Sequence, residues 1–330
     1  MSVLRTLVLG ATGLGLLAHG AAAAERRPLS RPEWRVEVDK PLYSIHQEPG
    51  KLAWKIRYQV EGKSYSTEFR PPIDLEALVK AEVEFDGKSG VYRYRYRVEN
   101  SPASHQLLQG FTVGFSHAIF DLARPEGWSN GPASFDAIVD WARTLAEPYG
   151  LPAGSGQDGF AFSASELPRA NAFTDRASGK AGVFFETGSL PGVVPCYVSG
   201  ATDDLEFPVE PPDGISSHFP RFPADGLSGR TVGPVAAPAR PEPAAFLETL
   251  LSYVRIALEE GWVRDADTAE RLEAKINALE TAFGEGDRPA YLGLLGSLSA
   301  QATTELEAGK LTPEAYALVK FNVDYLLRKR

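Results

Sequence analysis

With 330 residues, 43% apolar and 23% charged, the chain is long enough to bury a sizeable core and longer than one ordinary domain, so two domains are expected. Its 43 acidic and 34 basic residues leave a net charge of −9, which disfavours nucleic acid and anionic membrane as partners. The single cysteine, Cys196, excludes an internal disulfide, and its apolar surroundings at 193–198 fit a buried, inert thiol.

Residues 1–24 read as a signal peptide, with Arg5 as the positive start, an apolar run over 7–17 and Ala22-Ala23-Ala24 as the cleavage site. The glycine-broken run is shorter than the roughly 20 residues a spanning helix needs, so a secreted or periplasmic protein without membrane insertion is expected. Loss of Arg5 takes the charge to −10. Residues 25–32 are polar and proline-containing, which predicts a loose lead-in.

From Trp34 the pattern has period two. Trp54, Ile56, Tyr58 and Val60 alternate with Lys55, Arg57 and Gln59; Glu61-Gly62 offers a turn, and Tyr65, Thr67 and Phe69 suggest the returning strand. A second hairpin follows. Val79, Ala81, Val83 and Phe85 form one apolar row, 86–90 the turn, and Tyr92, Tyr94, Tyr96 and Val98 the other row, interleaved with Arg93, Arg95 and Arg97. Alternation of this kind belongs to antiparallel sheets with one wet face.

Phe111, Val113 and Phe115 predict a further strand, and 121–159 is left unassigned between a short helix and a strand. Strand-like runs return at 160–163, 182–186 and 193–198. Short strands with frequent turn signals point to an antiparallel β-sandwich of immunoglobulin-like character over 25–229. Gly159-Phe160-Ala161-Phe162, then Leu190-Pro191-Gly192, Tyr197 and Gly200, resemble secreted bacterial β-sandwich proteins of unassigned activity, a likeness that implies no catalytic residue.

Proline density over 230–243 predicts a semi-rigid linker. Beyond it, four amphipathic helices are expected in 244–330, making the chain multidomain, all-β plus all-α. Phe246, Leu250, Val254 and Ala257 lie on the first stripe, closed by Gly261; Asp267 with Glu270 opens the second helix, which Gly284 stops. Asp287 and Pro289 open the third, closed by Gly309; Thr312-Pro313 opens the fourth, with Val319, Val323 and Leu326 inward. Short connections imply an up-and-down bundle. Gly261-Trp262, Leu272, Lys275, Gly286-Asp287 and Gly309-Lys310-Leu311-Thr312 resemble the FIMAH domain, an all-helical module of bacterial extracellular proteins. That resemblance implies an accessory role in adhesion or partner docking and no catalytic residue.

Chemistry is sparse. His46, His105, His117 and His218 have no metal-ligand spacing, and His117 with Asp121 lacks a Gly-x-Ser-x-Gly nucleophile to serve. No catalytic residue, cofactor or metal site is expected; Asp203-Asp204 with Glu206 reads as a solvated loop, with calcium as the second reading. Two surface readings remain. Arg93, Arg95 and Arg97, aided by Lys55 and Arg57, form either a basic stripe for an anionic polysaccharide or protein, or a solvated face balanced by Glu82 and Glu84. Trp128, Trp141, Tyr149, Phe219 and Phe222 offer either sugar-stacking rings or core packing. The expected function is a non-catalytic exported adaptor in adhesion or protein interaction, partnered by a protein or surface polysaccharide. Carbohydrate binding is the alternative, and a hydrolase with a dispersed site comes third.

Overall fold

The computed structural model describes residues 25–101, 104–106, 108–115, 120–123, 128–133, 158–164, 183–200, 206–219 and 226–329. The expected signal peptide at 1–24 lies outside them. Strands β1 (Val38–Lys40), β2 (Tyr43–Gln47), β3 (Trp54–Val60) and β4 (Lys63–Phe69) form a first antiparallel sheet in chain order. Along β3, Trp54, Ile56 and Tyr58 are buried while Lys55, Arg57 and Gln59 are exposed, as period two requires. The turn to β4 places both Glu61 and Gly62 at positive φ, 51° and 76°, the backbone that a tight two-residue hairpin demands.

Strands β5 (Ala77–Asp86), β6 (Val91–Asn100), β7 (Leu108–Phe115), β8 (Phe120–Ala123), β9 (Trp128–Ala133), β10 (Asp158–Ala164), β11 (Val183–Thr187), β12 (Leu190–Gly200) and β13 (Leu227–Val235) make two more antiparallel sheets, ordered β5-β6-β11-β8 and β13-β12-β7-β10-β9. Three sheets therefore stand where two sandwich layers were expected. Every residue of β12 is buried, since it runs inside its sheet between β13 and β7 with its faces covered. The Tyr94 and Tyr96 hydroxyls donate from β6 to the carbonyls of Ser189 (2.9 Å) and Val232 (3.0 Å), tying one sheet to the other where a buried phenol needs a partner.

Four helices follow: α1 (Pro243–Glu259), α2 (Ala266–Gly284), α3 (Arg288–Glu307) and α4 (Pro313–Arg328). Each packs on its sequence neighbour, and α1 packs on α4. Gly261, Gly286 and Gly309 follow the first three helices at φ of 68°, 72° and 71°, where a side chain would strain the turn. Asp287 caps α3 by accepting from the Ala290 N–H at 3.0 Å. The cap of α2 differs from expectation. Asp265, extended at φ −146°, accepts from Thr268 N–H at 2.7 Å, two residues before the expected Asp267. Val263 and Leu311 form a bridge between the α1–α2 and α3–α4 connections, with the Thr312 N–H donating to Trp262 O at 2.9 Å.

Two further expectations need correction. The linker does not begin at Arg230: residues 230–235 belong to β13, whose Val232, Gly233 and Pro234 pair with Val193, Gly192 and Pro191 of β12. Proline is tolerated there because β13 is the sheet's edge strand. Nor does the helical segment keep its own core. Buried side chains of α1 to α4 join those of β5, β6, β7, β12 and β13 in one apolar cluster, and α4 touches β5, β12 and β13 directly. A second cluster belongs to the first sheet alone, where Tyr43, Ile45, Trp54, Ile56, Tyr58 and Phe69 close over Ile215, with Phe207 and Phe219 against them.

The lead-in at 25–32 is not loose. Arg26 donates two parallel hydrogen bonds, both 2.8 Å, to the Glu314 carboxylate at the start of α4, and Glu314 also accepts from the Ala81 N–H at 2.9 Å. Arg27 N–H donates to Glu260 O at 3.2 Å, and Ser30 bridges Ser228 of β13. Any Cβ at Gly261 would overlap the backbone of Glu25 and Arg26. The segment is thus wedged between helix, sheet and loop.

At the edge of the first sheet His46 hydrogen-bonds Glu37 at 2.7 Å and Asp39 at 3.1 Å. The Glu37 bond raises the imidazole above its ordinary 6.5; burial opposes it, and the charge of Asp39 adds to it. A raised folded-state value means that this contribution to stability is complete below about 6.5 and disappears as pH climbs through the higher folded value. Proton NMR should therefore show His46 titrating above 6.5, and His46→Gln should remove that part of the pH dependence of unfolding. A titration at or below 6.5 would contradict the clamp.

Candidate functional site

The arginines of β6 are placed as a balanced face. Register sets Arg93 opposite Glu84 and Arg95 opposite Glu82. Arg93 reaches Glu84 at 3.7 Å, Arg95 reaches Glu84 at 3.3 Å and Glu82 at 3.7 Å, and Arg97 reaches Glu99 at 3.2 Å. All three guanidinium groups are more than a third exposed, so each pair is worth at most about 1 kcal/mol. Lys55 and Arg57 do not extend this stripe, because they lie on a different sheet.

Among the aromatic candidates, Phe219 packs in the core of the first sheet, its ring 4.7 Å from Phe69 and 6.5 Å from Phe207. It offers no free platform. Trp128 lies in β9, but its side chain is outside the described residues, as are Trp141, Tyr149 and Phe222. Asp203, Asp204 and His117 also lie outside them. Cys196 is fully buried in β12, and burial pushes its thiol far above the usual value, which keeps it protonated and unreactive. Among the described residues no group of three His, Cys, Asp or Glu is placed to hold a metal ion, and no helix is long and apolar enough to cross a membrane.

Ionisable groups do gather at the seam of Arg26, Arg27, Arg230, Glu260 and Glu314. Arg230, 9% exposed, bonds Glu259 and Glu260 at 3.3 Å each, and Arg27 approaches Glu260 at 3.8 Å. Burial raises the Glu260 carboxyl above its usual 4.5, against the pull of Arg230 and then Arg27. The cavity beside these groups holds only about 80 Å³. Every carboxylate there is engaged by a cation, which is the arrangement of a structural seam.

The concave, apolar feature lies on the helices. A depression of about 380 Å³ is lined by Phe283, Tyr291, Leu292 and Leu326, with Arg288 and Lys329 at its rim. Phe283 is 40% exposed, and Leu42 is the other large apolar side chain left exposed among the described residues. The Phe283 ring stands 5.7 Å from Tyr291, so the aromatic floor is pre-formed. Sequence reading placed Phe283 on the apolar stripe of the second helix with Leu272, Ile276 and Leu279; the structure buries those three and leaves Phe283 exposed at the end of the stripe.

Comparison with family models, with curated proteins and with solved structures finds no match to this chain. The molecule is defined by its own architecture: N-terminal antiparallel sheets followed by four packed helices. The likeness of 246–330 to the FIMAH module rests on the sequence residues alone.

Proposed function

We propose that this protein is a non-catalytic exported adaptor of the cell surface or periplasm, and that its partner is a protein segment bearing an apolar side chain beside a carboxylate. The observation that carries this reading is the depression around Phe283. A concave apolar floor edged by Arg288 and Lys329 suits a Leu or Phe anchor flanked by Asp or Glu. The FIMAH likeness of the helices supports an accessory, partner-docking role. In the same reading the sheets act as a rigid scaffold of immunoglobulin-like character, which the inter-sheet bonds of Tyr94 and Tyr96 support.

Phe283→Asp places a charge on the aromatic floor without touching the buried seam. Against a library of acidic-apolar peptides, the unsubstituted protein should select Leu or Phe next to Asp or Glu. Phe283→Asp should weaken the selected peptide at least tenfold, and Arg288→Glu severalfold. Equal binding by all three proteins would reject the reading.

A further inference from the structure

We infer that the outer face of the first sheet is a second binding site, for an acidic oligosaccharide. It shares no residue with the helical depression and does not depend on it. The argument begins with what stands opposite each cation. On β6, arginines face glutamates, the ordinary solution for charge on an exposed strand. On β3, Lys55 faces Glu68 of β4 and His46 of β2, whereas Arg57 and Gln59 face hydroxyls. Arg57 stands between Ser44 of β2 and Ser66 of β4, and Gln59 stands opposite Ser64.

Lys40, Lys55 and Arg57 line an open depression of about 480 Å³ that contains no carboxylate. Among the described residues none of the three makes an ion pair. The nearby acids are committed elsewhere, Glu68 to Arg70 at 2.7 Å and Asp39 to His46 at 3.1 Å. Around Arg57 the face therefore holds positive charge amid serine hydroxyls and an amide, with Leu42, 56% exposed, at its border.

That lining selects the ligand class. Carboxylates of an acidic sugar would answer the cations, ring hydroxyls would exchange hydrogen bonds with Ser44, Ser64, Ser66 and Gln59, and an apolar sugar face would cover Leu42. Lys55 and Arg57, two residues apart on one strand, stand about 7 Å apart, the scale of a single sugar ring. A nucleic acid or an anionic bilayer presents a far larger field, which the net charge of −9 repels.

Calorimetric titration of the full chain with hexagalacturonate should show saturable binding that weakens with added salt. Arg57→Ala and Lys55→Ala, both exposed and so leaving the fold intact, should each weaken it at least tenfold; Arg95→Ala and Phe283→Asp should leave it unchanged. Neutral maltohexaose should not bind. The inference fails if hexagalacturonate does not saturate the protein, or if Arg57→Ala and Lys55→Ala bind it as well as the unsubstituted chain. It also fails if polyglutamate or phosphatidylglycerol vesicles bind as tightly through the same residues. Loss of peptide binding in Phe283→Asp with retained hexagalacturonate binding keeps the two sites distinct.

Discussion

Replacing Arg26 with alanine is expected to destabilise the protein by about 3–5 kcal/mol, the usual cost of stripping the partner from a buried charge. Glu314 is 1% exposed, and among the described residues its side chain accepts only from Arg26 and the Ala81 N–H. Without the guanidinium, the carboxylate must either stay charged in an apolar setting or take up a proton. Urea unfolding of the full chain measures the loss as a lower midpoint. Substituting both partners, Arg26→Met with Glu314→Leu, should recover much of it, because the desolvation penalty then disappears from both sides. An Arg26→Ala protein within about 0.5 kcal/mol of the original would mean that the segment after residue 24 is not held at the seam.

Residues 237–330 expressed alone should lose cooperative unfolding and bind a hydrophobic dye. In the full chain α4 is buried on two faces: Leu318, Val319, Val323 and Leu326 join the apolar cluster together with Phe321 and Tyr325. Phe321 packs 5.7 Å from Tyr92, Arg328 lies 4.3 Å above the Phe85 ring and donates to the Tyr92 hydroxyl at 2.6 Å, and the Asn322 amide donates to Pro191 O at 2.8 Å. Each large side chain uncovered costs about 1.5–3 kcal/mol. Losing several approaches the 5–15 kcal/mol that holds an ordinary domain. Circular dichroism against urea decides the matter. A sharp transition without dye binding would establish the helices as an independent unit.

Much of the local structure was legible because local chemistry dictates it. Both hairpins follow from side-chain alternation and from turns that only certain residues accept, and the helix ends follow from Asp287, Gly261 and Gly309. The site was less legible. Arg93, Arg95 and Arg97 read as well for a ligand as for a balanced face until the register set Glu84 and Glu82 opposite two of them. Arg57 looked like part of the same stripe, yet its neighbours across β2 and β4 are serines.

The helical stripe of α4 had a warning in it. Phe321, Asn322 and Tyr325 fall off the Val319–Val323–Leu326 line, and a helix apolar on two faces is a buried helix. Which surface would cover the second face lay 236 and 229 residues before Phe321, in Phe85 and Tyr92. Glu314 is similar: at the first turn of a helix a carboxylate reads as a partner for the helix dipole, while its bonds to Arg26 and Ala81 depend on contacts 288 and 233 residues distant.

By itself the sequence determined both hairpins, the four helices with most of their ends, and the buried cysteine, since these depend on periodicity, backbone preference and residue type within a few positions. Only the tertiary structure decided that the helices share a core with two of the sheets, that 25–32 is a wedge, and that Arg57 stands between serines on the first sheet. Those outcomes depend on which distant faces meet, and burial and charge balance take their values only when they do.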